Sequence, residues 1–197
     1  MRLEYRGEGR WTPLHGAFLE NFVSTTGALT GPGLPMPVWQ PLPFYDFTAL
    51  VRLPDPVGGA SEWYITQGAN LFTLDKFGAA ISALNETAHL RLTRDNVSAY
   101  FRFWCAFTTA PFGRYVVLDV PHPEMAEEAA DETDTWLRGV VVEGHGPQGY
   151  LLSATVFHKG EVQRRNFRVS NSGAVMEVAG HALSLPERSA ATIRRAS

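Results

Sequence analysis

The sequence predicts a single α+β domain of 197 residues, in which a curved antiparallel sheet packs on one long, buried, aromatic helix. Two stretches predict this fold. Residues 93–109 carry apolar side chains around most of a helix, and residues 137–182 alternate as a four-strand meander does. The composition agrees, because 45% hydrophobic and 12% aromatic residues are enough to fill a real core.

The first 44 residues or so form a proline-rich arm that we expect to be irregular, apart from a short helix over 14–24. Five prolines between positions 32 and 43 remove backbone donors, which places this stretch outside any central ladder. Two interpretations of the arm stay open. It lies across its own domain with Trp39 and Leu42 tucked in, or it serves as a recognition arm for a partner.

The next segment, residues 45–85, is predicted to contain strands. A loose alternation of period two over 45–53 indicates the first strand, and short runs at 63–66 and 70–74 indicate two more. Residues 79–84 are interpreted as a returning strand after a turn at 75–78.

The clearest helix spans 93–109, with Thr93 as its N-cap and with Pro111 and Gly113 beyond its end. Apolar side chains surround most of it, so we expect it to be largely buried. Cys105 is the only thiol and lies between aromatic residues of this helix. It is therefore interpreted as part of the core rather than as a nucleophile.

Three further segments follow from simple patterns. Residues 115–120 predict a short apolar strand. The acidic run at 124–134 is interpreted as a solvated loop or surface helix, because it lacks the glycine and turn chemistry of a calcium loop. The last residues, about 186–197, are expected to form a loose tail.

The C-terminal meander is predicted to contain four strands, over 137–143, 150–158, 161–169 and 174–182. A five-residue turn at 145–149 separates the first two. The two-residue link at 159–160 favours a tight hairpin that pairs His158 with Glu161.

The second hairpin of the meander is predicted to close about Ser172 and Gly173, which places Val178 opposite Phe167. These registers put the apolar side chains on one face: Tyr150, Leu152, Val156, Phe167, Val169, Met176 and Val178. They put polar side chains on the other: Ser153, Thr155, Arg164, Asn166, Arg168 and Glu177, with Arg168 opposite Glu177. One covered face is expected for such a sheet, and the aromatic helix is the predicted cover.

The polar face supplies the candidate binding residues, which are Arg164, Asn166, Arg168 and His181. The predicted register places His181 opposite Arg164. Guanidinium and amide groups in such an array suit a phosphate, a carboxylate or an acidic partner. The alternative is an ordinary solvated face with a few ion pairs.

Other site chemistries find no support in the sequence. The six histidines show no close ligand spacing, so no metal site is expected, and no cofactor is implied. Residues 144–149 match G-x-G-x-x-G, but a strand follows them rather than a helix, which favours a hairpin loop. No G-x-S-x-G motif occurs.

Charge and hydropathy limit the classes of partner. A net charge of -3 offers no strong positive field for nucleic acid or an acidic membrane, and no apolar run is long enough to span a bilayer. A single cysteine fits a reducing compartment, so we interpret the protein as cytoplasmic.

The predicted helix contains the pattern N-V-x-x-Y-x-R-F-x-C-x-F from Asn96 to Phe107, followed by Phe112-Gly113 and Val116-Val117. This stretch resembles a group of uncharacterised bacterial proteins. The resemblance covers about residues 65–185, including Asn85-Glu86 and the meander. It implies a bacterial source and a single domain, and it implies no activity and no site residue.

These observations favour a non-catalytic binding or interaction protein that uses the polar sheet face or the proline-rich arm. One alternative is a small-molecule-binding protein or enzyme with a pocket between helix and sheet, lined by Phe101, Trp104 and Tyr150. Another is a structural subunit of a homo-oligomer, because the aromatic content exceeds what one small core needs. The expected partner is therefore another protein or a second copy, with a small molecule left open.

Overall fold

The computed structural model describes residues 9–68, 70–74, 78–109, 113–118 and 139–184. The acidic run at 124–134 and the tail at 186–197 lie outside these residues. In chain order the elements are β1 (Thr12–Pro13), α1 (Gly16–Thr26), β2 (Val38–Pro41), β3 (Thr48–Leu53), β4 (Glu62–Gln67), β5 (Asn70–Thr73), α2 (Ala79–Thr87), α3 (Val97–Phe107), β6 (Val116–Val117), β7 (Val140–Gly146), β8 (Gly149–His158), β9 (Glu161–Val169) and β10 (Val175–Ser184).

The strands form two antiparallel sheets, which confirms the α+β class. The first sheet has the order β1-β2-β3-β4-β5. The second has the order β10-β9-β8-β6, with β7 also paired to β8. The predicted meander is the second sheet, and the strands before the aromatic helix form a sheet of their own.

Helix α3 lies between the two sheets. Phe101 contacts Phe167 of the second sheet, with ring centroids 4.7 Å apart, and Phe107 contacts Trp63 of the first at 5.2 Å. A helix covered from both sides needs apolar residues around most of its circumference, as the sequence shows. Cys105 is 2% exposed, so its predicted place in the core is confirmed.

Helix α3 is shorter than predicted at its N-terminus, where Asn96 rather than Thr93 is the N-cap. The Thr93 N–H donates to Asn96 Oδ1 at 2.7 Å, and the Val97 N–H donates to the Thr93 carbonyl at 3.0 Å. Residues 93–96 therefore form a closed turn that leads into the helix, because the asparagine side chain competes for the backbone donor.

The first sheet is covered on its other face by α1, where Phe22 meets Tyr64 edge to face at 5.2 Å. Alternation along β3 divides the side chains between the two layers. Leu50 belongs to the main core with α3, and Val51 belongs to a second cluster with Phe22.

The proline-rich arm is more regular than we expected. It contains β1, α1 and β2, and β2 pairs with β1 on one side and with β3 on the other. The prediction that this stretch lies outside any central ladder is therefore wrong. Pro41 is the last residue of β2, where a missing N–H costs least. Leu42 is 2% exposed, as its predicted tucked-in position requires.

Residues 79–84 belong to α2 and not to a returning strand. Ile81, Leu84 and Ala88 are each at most 3% exposed. Their spacing of three and four residues places them on one side of a helix, which lies against the main core. A short apolar run fits either a strand or one side of a helix, and the tertiary contacts decided in favour of the helix.

The first predicted hairpin of the meander is confirmed. His158 pairs with Glu161, and Leu152 pairs with Phe167. The turn before it is tighter than expected, because β7 continues to Gly146 and leaves a link of two residues, 147–148.

The second predicted hairpin is wrong by one residue. Val175 pairs with Val169, and Glu177 pairs with Phe167. The cause is a three-residue loop, 171–173, in which Gly173 has φ +82°. Its N–H donates to the Ser170 carbonyl at 2.9 Å. Such a loop adds one residue to the two-residue turn that we had assumed. It turns the side chains of Val175 to Val178 to the face opposite the predicted one.

The one-residue shift, together with a later irregularity in β10, overturns four predicted positions. Val178 pairs with Asn166 and not with Phe167, so it leaves the predicted apolar face. Met176 is 55% exposed instead of buried. Glu177 lies opposite Phe167 and not opposite Arg168. After an irregularity in β10, Leu183 rather than His181 lies opposite Arg164.

The three helices α1, α2 and α3 have 11, 9 and 11 residues. No helix in the described part of the chain has the length and apolar character that crossing a membrane requires.

Candidate functional site

The predicted binding residues are Arg164, Asn166, Arg168 and His181. The first three share the face of the second sheet that points away from α3, and His181 does not pair with Arg164 as predicted. Arg164 donates to Ser153 Oγ at 2.6 Å and to Thr155 Oγ1 at 3.2 Å. These two residues are 4% and 0% exposed, so this part of the face is not the open, solvated surface that we had considered. The Arg164 guanidinium binds hydroxyls of its own sheet, and a ligand role for the three residues stays a prediction.

A polar cluster lies on the opposite face of the same sheet, toward α3. Glu177 forms an ion pair with Arg165 and accepts a hydrogen bond from Tyr115 Oη at 2.5 Å. The Tyr115 ring stacks on the imidazole of His158, with centroids 4.3 Å apart. Burial raises the pKa of Tyr115 to about 12, and the hydrogen bond to Glu177 adds to the rise.

Sequence reasoning missed this cluster because the assumed register turned Glu177 to the wrong face. The only signal that would have found it is the glycine at 173, since a three-residue loop ends in a left-handed residue. The hydrogen bonds of the cluster continue along β9, because Arg165 also donates to Gln163, which in turn donates to Glu161. These two bonds lie within β9, and the contacts of Glu177 join β9 to β10 and to Tyr115.

The structure shows an open cleft of about 470 Å³ on the α1 side of the first sheet. Its floor crosses three strands at Pro41, Ala49 and Thr66, which are neighbours in the sheet register. The lining residues are Phe18, Trp39, Pro41, Leu42, Pro43, Tyr45, Phe47, Thr48, Ala49, Thr66 and Gly68. Among these described residues none carries a charge, so the cleft suits an apolar ligand.

Phe47 stands at the rim of this cleft and is 93% exposed. Its φ is +51°, a left-handed conformation that is rare for any residue other than glycine and is costly for a bulky one. The predicted strand over 45–53 had included Phe47 as a regular strand residue. The strand begins instead at Thr48, and Phe47 ends the loop before it.

The loop that carries Phe47 is fixed on both sides of it. Asp46 forms an ion pair with Arg91 at 3.0 Å, and the Thr48 hydroxyl donates to the Asp46 carbonyl at 2.9 Å. Tyr45, which precedes Asp46, forms an isolated antiparallel β-bridge with Leu90. Its hydroxyl donates to Asn85, and burial raises its pKa well above the usual range. The loop therefore presents Phe47 from a rigid base.

A pocket lined by Phe101, Trp104 and Tyr150 was one prediction of the sequence. Phe101 is fully buried against Phe167, and the Tyr150 hydroxyl donates to the Leu92 carbonyl at 3.2 Å. Side chains thus fill the contact between α3 and the second sheet at Phe101, and the observed cleft lies on the far side of the first sheet.

No group of three or more His, Cys, Asp or Glu side chains that could hold a metal ion occurs within the residues that the structure describes. Comparison of the chain with protein-family models, with curated proteins and with solved structures gave no match.

Proposed function

We propose that this protein is a non-catalytic binding protein that holds an apolar segment of a protein partner against Phe47 and the neighbouring cleft. One observation carries the proposal. A phenylalanine that is 93% exposed and has φ +51° stands at the rim of an uncharged cleft. Residues held in a rare backbone region are concentrated at functional sites.

The proposal is supported by the energetics of Phe47. An exposed aromatic ring gives up the stabilisation that burial would supply, and its backbone conformation costs about 1–2 kcal/mol more. Asparagine or glycine at position 47 would remove both costs. A partner that covers the ring recovers the burial term, because an aromatic side chain removes a large apolar area from water when it is buried.

Rigidity of the site also favours binding. The Arg91 N–H donates to the Phe44 carbonyl at 2.9 Å, and Asn96 Nδ2 donates to the Pro43 carbonyl at 3.1 Å. These bonds attach the 42–47 loop to the segment before α3. Association therefore orders few new side chains, which lowers its entropic cost.

We further propose a cytosolic location in a bacterium. The single cysteine and the resemblance of the 96–107 segment support this compartment and source.

The proposal is tested with a displayed library of random peptides, selected on the wild-type protein and then measured by fluorescence anisotropy on dilute protein. We expect the selected peptides to be rich in aromatic and aliphatic residues. We expect F47N to bind them at least about tenfold more weakly, because the central contact is gone.

The matched control is V57N, since Val57 is 91% exposed in another loop and undergoes the same change. It should bind the peptides as the wild type does. Selected peptides that bind F47N and the wild type equally would overturn the proposal, as would a selection with no apolar preference.

A further inference from the structure

We infer that the partner of the Phe47 surface is a second copy of this chain, joined about a twofold axis so that each Phe47 enters the cleft of the other copy. The inference rests on the proposed function and names its partner. We use "Phe47 surface" for Phe47 together with the residues that line the cleft.

The Phe47 surface carries both a projection and a hollow. Phe47 projects at the rim, and the hollow beside it is walled by rings of Phe18, Trp39 and Tyr45. Phe18 and Trp39 contact each other edge to face at 6.3 Å. A twofold contact brings one surface patch against the same patch of its partner. The projection of each copy can then enter the hollow of the other.

The charges around the Phe47 surface also allow a second copy to bind. A twofold axis brings each group near its own copy or near its neighbours, so an uncompensated charge in the patch would repel its equivalent. Among the described residues the lining carries no charge, and Asp46 beside Phe47 is neutralised by Arg91 at 3.0 Å. Nothing in the described part of the patch therefore opposes self-association.

Phe47 itself fits the hollow chemically. An exposed aromatic side chain suits an uncharged cleft, and the chain carries one at Phe47. Each buried ring removes about 150–250 Å² from water, and the twofold axis doubles the number of rings. A contact built mainly on two rings is small, so we expect a reversible dimer rather than a permanent one.

The test begins with sedimentation equilibrium of the full chain over a wide range of concentration. The wild type is expected to show a monomer–dimer equilibrium. F47N removes the projection twice in each dimer and should raise the dissociation constant at least about a hundredfold. V57N should leave it unchanged. A wild type that stays monomeric throughout, or an F47N variant that dimerises as tightly, would overturn the inference.

A second variant closes the hollow instead of removing the projection. Ala49 is 8% exposed at the floor of the cleft, so A49L extends its side chain into the open space. A49L should weaken the homodimer as F47N does, after circular dichroism has shown that it folds. If A49L does not fold, T66L fills the hollow from the neighbouring strand.

Mixing the two variants gives the sharpest result. F47N keeps its hollow and A49L keeps its projection, so a mixed dimer restores one of the two contacts. We expect a heterodimer that is at least about tenfold tighter than either variant homodimer. A mixture that associates no more than its components would overturn the inference.

The two proposals can fail separately. A monomeric wild type whose peptide ligands depend on Phe47 leaves the binding function standing and removes only the second copy as partner. A wild type that neither dimerises nor selects apolar peptides removes both.

Discussion

The hydroxyl of Tyr100 donates a hydrogen bond to the carbonyl oxygen of Gly173 at 2.7 Å, and this bond connects the β9–β10 loop to helix α3. Asn85 Nδ2 donates to the same hydroxyl at 2.8 Å, so α2, α3 and the loop meet at one phenol. Tyr100 is fully buried. The bond matters for the fold because this loop sets the register of β10, which places Glu177 beside Arg165.

The Y100F substitution tests that bond. It removes the donor to Gly173 and the acceptor for Asn85 while keeping the ring that packs on Phe44 at 5.2 Å. We expect a loss of about 1–3 kcal/mol in the free energy of unfolding, because buried polar groups lose their partner. Urea unfolding measures it, and a loss below about 0.5 kcal/mol would show that this bond contributes little.

Gly173 should tolerate no side chain. Its φ is +82°. A Cβ there would lie 2.5 Å from Tyr100 Oη and 2.7 Å from Leu90 Cδ2. We expect G173A to destabilise the fold by at least about 2–3 kcal/mol, from backbone strain together with the clash.

The matched control is G160A, in the other hairpin of the same sheet. Gly160 has φ +86°, and no atom lies within 4 Å of its Cβ position. Its substitution should cost only the backbone term, about 1 kcal/mol. Equal losses for G173A and G160A in thermal unfolding would contradict the proposed crowding at Gly173.

Alkaline pH should weaken the fold through Tyr100. Burial raises the pKa of Tyr100 from 10.0 to about 12. Between these values the unfolded chain gives up the phenol proton while the folded chain keeps it, so stability falls as the pH rises. The slope due to one such group is about 1.4 kcal/mol per pH unit.

Y100F should show a shallower decline over this pH interval, because its unfolded chain has one fewer phenol to ionise. Urea unfolding at several pH values above 10.0 measures both slopes. Identical slopes for Y100F and the wild type would show that Tyr100 ionises at its ordinary pKa in the folded chain.

The E177Q substitution should lower the pKa of Tyr115 from about 12. The glutamine oxygen can still accept the hydrogen bond, but the negative charge that opposes phenolate formation is gone. Ultraviolet absorbance titration follows the phenolate, and subtraction of the Y115F titration assigns the group. An unchanged titration would mean that burial alone sets this pKa.

The F47N substitution should stabilise the protein while it removes binding. Asparagine accepts the left-handed conformation of position 47 better than phenylalanine or alanine does. We expect about 1 kcal/mol of added stability, or a rise of roughly 2–4 °C in melting temperature. F47A is the control, since it also removes the ring but keeps the strained backbone. Equal melting temperatures for the two variants would argue against strain at Phe47.

The predictable part of the fold came from patterns that are local in sequence. The two-residue link at 159–160 set the register of β8 against β9, and the pairing of His158 with Glu161 is confirmed. The aromatic helix was recognisable because its apolar residues surround most of the helix axis. The α+β class followed from these two elements.

The candidate site was not predictable in the same way. Phe47 fitted an alternating pattern. Its outward position goes with contacts of its loop to residues far away in sequence, such as the ion pair of Asp46 with Arg91. The proposed residues Arg164, Asn166 and Arg168 were placed on the correct face, but sequence could not show that Ser153 and Thr155 would bind Arg164.

The sequence by itself determined the class of fold, helix α3 and the β8–β9 hairpin of the second sheet, because the patterns that predict them span only a few residues. Tertiary structure alone decided that the early strands would form a separate sheet, that residues 79–87 would be helical and that β10 would shift by one residue. Each depends on contacts between distant segments, such as Tyr100 with Gly173. The free energy of these contacts exceeds the differences in helix and strand propensity. The residues that make the contacts are too far apart for a short stretch of sequence to show them.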